Sequence, residues 1–220
     1  MRGTTSMSLS DRGSQIGLLA LVTSLTLVLA SSVVQANAEA WRLDRSQDGI
    51  DVYTRPVTGS AVRAFKGTSE FDHPTGAVLH VLRDGNRLRE WFPNCMDSTL
   101  LARDGSISFQ YSAMAAPWPV SDRDQILRTE FLRDEATGLI ELRMTAAPEH
   151  LPERPGRVRV QTAEGSWRLE PLGTGRSRVT FVMHLDPGGG VPQWLVNTRV
   201  VETPFEAIRN LRETVSGEVQ

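Results

Sequence analysis

From Gly49 to Val57 apolar and polar residues alternate, and after a Gly-Ser turn the stretch from Val62 to Phe71 does the same. A period of two is that of a half-buried strand, so the pair predicts a hairpin. At Pro74 the period changes: Ala77, Val78, Val81 and Leu82 lie at helical spacing, Pro74 suits a first-turn position, and Asp84-Gly85 ends the run. Leu88 to Phe92 predicts a further short helical turn. Strand patterns return at Met96–Arg103, Ile107–Ala115, Gln125–Arg133 and Leu139–Thr145, separated by Asp-Gly, Pro-rich and Thr-Gly turns. Val158–Pro171 and Arg176–Asp186 form a last predicted hairpin across Gly173-Thr174-Gly175.

Several of these strands have one apolar side. Ile107, Phe109, Tyr111 and Ala113 share a face, as do Leu127, Thr129 and Phe131, then Ile140, Leu142 and Met144, and finally Val179, Phe181, Met183 and Leu185. That is the pattern of an antiparallel sheet covered on one side. The cover stands at the end of the chain, where Trp194, Val201, Phe205, Ile208, Leu211 and Val215 fall near one helical stripe. Pro204 interrupts it, yet Thr203 and Glu206 form a capping box, so a kinked helix or two helices restarting at Pro204 are expected. The fold class is α+β. A strongly bent sheet gripping its last helix fits the order of elements, and so does a plainly packed core; periodicity does not separate a hollow interior from a filled one.

Ahead of this lies a different segment. Arg2 and Arg12 precede an apolar run from Ile16 to Ala30, and Ala36-Asn37-Ala38 has the small-x-small form of a signal-peptidase site. The run is shorter than the roughly 20 residues a spanning helix needs. Residues 1–38 are therefore read as a cleaved signal peptide and 39–220 as one domain, exported to a periplasm or medium; the alternative is an N-terminal membrane anchor. The formal net charge of −2 and the absence of a basic block argue against nucleic acid. A single cysteine, Cys95, excludes an internal disulfide and thiolate-rich zinc sites. Beside Trp91 and Phe92 it reads as a buried small residue.

Two blocks stand out. In Pro117–Asp124 (PWPVSDRD) the prolines suit a rigid connection between strands. Arg123 can then bridge Asp122 or Asp124 as a structural ion pair or meet a ligand headgroup. In Asp186–Gly190 (DPGGG) Gly188 and Gly189 make a corner or a hinge before the last helix; the residues that follow lack the Gly-Lys-Ser/Thr of a phosphate loop.

These blocks, with Trp41 and Asp48–Arg55, Arg87–Cys95, Gly165-Ser166-Trp167 and Thr180–Asn197, resemble in order and spacing the START domain, the steroidogenic acute regulatory protein-related lipid transfer family, in its bacterial secreted form. The resemblance covers about residues 41–215. It implies a helix-grip fold: a curved antiparallel sheet around a long C-terminal helix, with a hydrophobic cavity that holds a sterol, phospholipid or similar molecule and is closed by that helix. Sterol-carrying relatives often place an acidic and a basic side chain in the tunnel. No such pair is assignable here.

The apolar faces nominate Phe109, Tyr111, Phe131, Met144, Phe181, Met183, Trp194, Val201, Phe205 and Ile208 as ligand contacts. Arg123, Asp124, Gly188, Gly189 and Pro204 are nominated as structural or gating positions, and a β-branched residue at Gly188 or Gly189 is expected to slow ligand exchange. His73, His80, His150 and His184 are scattered without metal-site spacing, and Ser121 lacks a nucleophile elbow. The expectation is a monomeric carrier without metal, cofactor or catalysis, its partner a hydrophobic small molecule, with transient contact at a membrane surface. Alternatives are a cyclase or hydrolase using the same cavity, and a non-binding interaction domain.

Overall fold

The computed structural model describes residues 40–218 and Gly3, so the expected signal peptide lies, Gly3 apart, outside the described residues. The chain from Trp41 onward forms one compact unit. Its strands are β1 (Arg42–Gln47), β2 (Ile50–Arg55), β3 (Ala64–Phe71), β4 (Cys95–Asp104), β5 (Ile107–Met114), β6 (Asp122–Arg133), β7 (Ile140–Ala146), β8 (Arg157–Arg159), β9 (Thr162–Pro171) and β10 (Ser177–Asp186). The helices are α1 (Thr75–Arg83), the short α2 (Leu88–Trp91), preceded by a 3-10 turn at Gly85–Arg87, and α3 (Gln193–Glu218). Nine strands form one antiparallel sheet in the order β1-β2-β3-β10-β9-β7-β6-β5-β4, and β8 pairs parallel to β6.

The expected strands are present with shifted ends, and three departures have physical causes. Strand β1 went unread because five of its six residues are exposed, which leaves no alternation to detect. The stretch read as one strand from Val158 is broken at Val160-Gln161, where the chain changes neighbours: Val160 N–H still donates to the Asp124 carbonyl of β6 at 2.9 Å, whereas β9 pairs with β7 and β10. Helix α3 runs unbroken through Pro204, so Thr203 is an interior helical residue and caps no second helix. An interior proline loses one backbone hydrogen bond, and here packing overrides that cost. Gly67 on β3 makes room, since a Cβ there would lie 2.6 Å from Ile208 Cδ1 and 3.1 Å from Pro204 Cβ.

Alternation along the register divides the sheet into two faces. The concave face carries Phe65 and Gly67, then Phe181 and Met183, Gly165 and Trp167, Leu142 and Met144, Leu127 and Thr129, and finally Gln110 and Ser112. Helix α3 packs on this side; Phe205, Ala207, Ile208, Leu211 and Val215 are buried with Ile50, Val52 and Phe71 in the main core. The convex face is covered at one end as well. There Tyr111, Ala113, Ile126 and Ala147 make a second small core under the segment 147–159.

Candidate functional site

Between the concave face and the first half of α3 lies a cavity of about 280 Å3. One wall is apolar, made by Phe65, Trp167, Phe181, Met183 and Leu185; Leu195, Val196 and Val200 form the roof, and Leu82, Leu88 and Trp91 close one end. The other end is framed by the loops around Pro117 and Val120 and around Pro187 and Val191. Trp167 stacks on Phe181 with ring centroids 4.0 Å apart, and Phe65 meets Phe181 edge-on at 5.0 Å, which stiffens the apolar wall.

The wall built by β5 and β6 is different in kind. Met114 faces Arg123, Ser112 faces Gln125, and Gln110 faces Leu127 across the ladder, with Thr129 further along. Gln125 Nε2 donates to Ser112 Oγ at 3.1 Å, and both side chains are buried. Gln110 Nε2 donates to the Gly85 carbonyl at 3.3 Å.

Arg123 lies at the loop end. Its guanidinium donates to the carbonyls of Ser121, Pro187 (3.4 Å) and Gly188 (3.1 Å), tying β6 to the glycine loop before α3. Burial pushes its pKa below the ordinary arginine value, against the opposing attraction of Asp122. Gly188 and Gly189 have φ of 61° and 62°, the left-handed region that favours glycine. Asp124 points the other way. Arg159 holds its carboxylate in a bidentate pair at 2.9 and 3.0 Å, and the remaining guanidinium donors reach the carbonyls of Pro148, Leu151 and Pro152. That carboxylate, as partner, raises the Arg159 pKa.

This architecture has known counterparts. The START domain family matches residues 28–219. The chain belongs to that family. Its START domain is 32% identical over 189 residues to an uncharacterized protein of Pseudomonas aeruginosa, spanning 84% of this chain and 93% of that one. A STAR-related lipid transfer protein fragment from Xanthomonas axonopodis superposes with a TM-score of 0.76 at 39% identity, covering 81% of this chain and 99% of that one. Human StAR-related lipid transfer protein 5 shares the fold at 19% identity, with a TM-score of 0.75 over 91% of this chain and 99% of its own. The Zhui aromatase/cyclase of Streptomyces sp. R1128 shares the fold more loosely, at 17% identity and a TM-score of 0.52, over 72% and 96% of the two chains.

The START domain brings together some of the nominated residues and disperses others. Met144, Phe181 and Met183 line the cavity, and Arg123 and Asp124 border it. Phe109 and Tyr111 do not; they lie on the convex face, where Phe109 stacks on His150 at 4.0 Å and the Tyr111 hydroxyl accepts from Arg157 at 2.6 Å. The apolar face of β5 looks outward because segment 147–159 covers it. Phe131 is on the concave face but beyond the cavity, under the Arg83 guanidinium. Phe205, Ile208 and Val201 pack into the main core, and Trp194 is 68% exposed. The roof belongs instead to the neighbouring helical rows, Val196, Val200 and Thr203 among them. The expected clasp between Arg123 and a carboxylate is replaced by Arg159–Asp124, with Arg123 on backbone carbonyls.

Sequence reasoning missed Gln110, Ser112, Gln125, Leu127, Trp167, Val196 and Val200. A signal existed on β5: Ser108, Gln110, Ser112 and Met114 alternate as strictly as the apolar set opposite them. Cys95 is half-buried, and burial pushes its thiol up to about 11, so it is protonated at neutral pH and a poor nucleophile. The four histidines stand outside the cavity lining: His73 meets Ser216 and His184 meets Ser60. Among the described residues no three His, Cys, Asp or Glu side chains cluster to hold a metal, and no helix is long and apolar enough to cross a membrane.

Proposed function

We propose that this START domain carries one hydrophobic small molecule in the cavity beneath α3, admits it when the first half of that helix lifts, and does no chemistry on it. The observation that carries the reading is the cavity of about 280 Å3 with an apolar wall and roof, just below the ~300–1,000 Å3 range of ligand pockets. Burial of ligand surface at about 25 cal/mol per Å2 supplies the affinity. The lipid-transfer names of the Xanthomonas and human relatives support a lipid as cargo. The non-catalytic part rests on the lining: its ionisable side chains are arginines and Asp124, whose carboxylate Arg159 already holds.

The protein acts as a monomer that touches membranes transiently. Trp118, 93% exposed, and Trp194, 68% exposed, each adjoin lining residues at the loop end, and indole rings favour the headgroup level of a bilayer. Export rests on the apolar run at 16–30.

Native mass spectrometry of the purified protein, before and after delipidation, tests the carrier. Co-purifying lipid, or stoichiometric uptake of an apolar fluorophore after delipidation, is the expected result. An unliganded mass that persists with every apolar probe would overturn it.

A further inference from the structure

A row of side chains crosses the concave face to the edge of the sheet: Met144, Thr129, Ser108 and Arg103 stand opposite one another on β7, β6, β5 and β4. Met144 lines the cavity beneath α3. The outer members meet Arg83, the last residue of α1, around a separate hollow of about 30 Å3. At ~10–15 Å3 per water it has room for about two waters, or for two oxygens of a tetrahedral anion.

The chemistry of this hollow is one-sided. Arg83, Arg103, Ser106, Ser108 and Thr129 can all donate hydrogen bonds into it, and among the described residues its lining holds no carboxylate. Arg103 spends one N–H on the Arg83 carbonyl, and the Arg83 guanidinium lies over Phe131, 5.3 Å from the ring centroid. Among the described residues neither arginine forms an ion pair, and the hydroxyls of Ser106, Ser108 and Thr129 have no protein partner. The acids beside them in sequence are turned elsewhere. Asp84 accepts from Asn86 N–H at 3.3 Å, and Asp104 stands opposite Ile107, on the other side of β4 from Arg103. The rim is fixed as well, because Phe131 N–H donates to the Ser106 carbonyl at 2.8 Å and ties the β4–β5 turn to β6.

Two guanidiniums at one hollow without a counter-charge repel each other, and an anion bound to both reverses the sign of that interaction. The planar fork of arginine matches the oxygens of a phosphate, and hydroxyls complete the shell. A neutral ligand would leave both charges uncompensated. We propose that this hollow binds a phosphate group, with Arg83 and Arg103 taking its charge and Ser106 and Ser108 donating to its remaining oxygens. The site is separate from the cavity and does not depend on what the cavity carries. It also lies at the other end of β5 from Trp118, eight residues or roughly 26 Å away at ~3.3 Å per residue. A bilayer touching Trp118 therefore leaves the hollow in water, which favours a phosphate on a soluble molecule over one on a lipid headgroup.

Calorimetric titration of the purified protein with inorganic phosphate, in a chloride buffer, tests the site. Flotation with phosphatidylcholine vesicles, with and without phosphatidic acid, tests the headgroup as source. Saturable binding of one phosphate is expected, weakened at least tenfold by Arg83→Gln and by Arg103→Gln. Ser106→Asp, which places a carboxylate at the exposed rim and leaves both arginines intact, should abolish it. Arg143→Gln, on the opposite face of the sheet, should change nothing. Capture by phosphatidic acid vesicles alone, lost in the same three variants, upholds the site and assigns its phosphate to a headgroup. No saturable binding in either arm, or binding that Arg83→Gln, Arg103→Gln and Ser106→Asp all leave unchanged, overturns the proposal.

Discussion

Asp124 and Arg159 meet with both side chains 1% exposed, and the guanidinium also gathers three carbonyls of the segment that covers the convex face. Such a pair adds little net stability, but removing one member leaves a buried charge alone and costs about 3–5 kcal/mol. Asp124→Ala should therefore lower urea-unfolding stability by that amount, and Asp124→Leu combined with Arg159→Met should recover most of it. A loss under about 1 kcal/mol, the worth of an exposed pair, would sink the argument. The same residues mark where the sequence was legible. That Arg123 and Asp124 matter was readable from their block; which arginine pairs with the aspartate was not, because Arg159 lies 35 positions away and only the tertiary fold joins them. Tyr111 and Phe109 misled for a related reason. Apolar alternation reports which face is covered, and on β5 the cover is segment 147–159, not α3.

Among the elements, those with long uninterrupted periods were readable: α1, the paired strands from β4 to β7, and the last helix. Strand β1 was not, since an exposed edge carries no apolar rhythm, and Pro204 suggested an interruption that packing against Gly67 removes. The loop from Pro187 to Gly190 is the element whose mechanics matter most. Gly188 and Gly189 hold φ near +60°, and Arg123 pins the carbonyl of the first. A side chain in that region costs about 1–2 kcal/mol, so the strain falls on the closed form of the lid. This reverses the direction drawn from sequence alone. Gly189→Val should speed release of a bound fluorophore by about tenfold, the equivalent of ~1.4 kcal/mol, and Arg123→Gln should do likewise by freeing the loop. Stopped-flow release rates unchanged in both would mean that the loop does not gate the cavity.

At the scale of the whole molecule, the sheet serves two cores at once. One end of its convex face is closed by a segment tied down through Arg159, while the concave face is divided between solid packing under the second half of α3 and open space under the first. The lining of an unfilled space forgoes dispersion contacts, so a molecule that fills it stabilises the folded chain and has nothing comparable to bind once the chain unfolds. At a hundred times its Kd such a ligand adds about 2.7 kcal/mol. For a domain of this size that is roughly 5–10 °C in Tm. Val200, buried in the roof, offers the control. Val200→Phe pushes a ring into the space, so the unliganded protein should melt no lower than before while the ligand-induced shift disappears. If Val200→Phe instead lowers the unliganded Tm and keeps the full shift, the ligand sits elsewhere, and the space beneath α3 is not what this fold uses to bind.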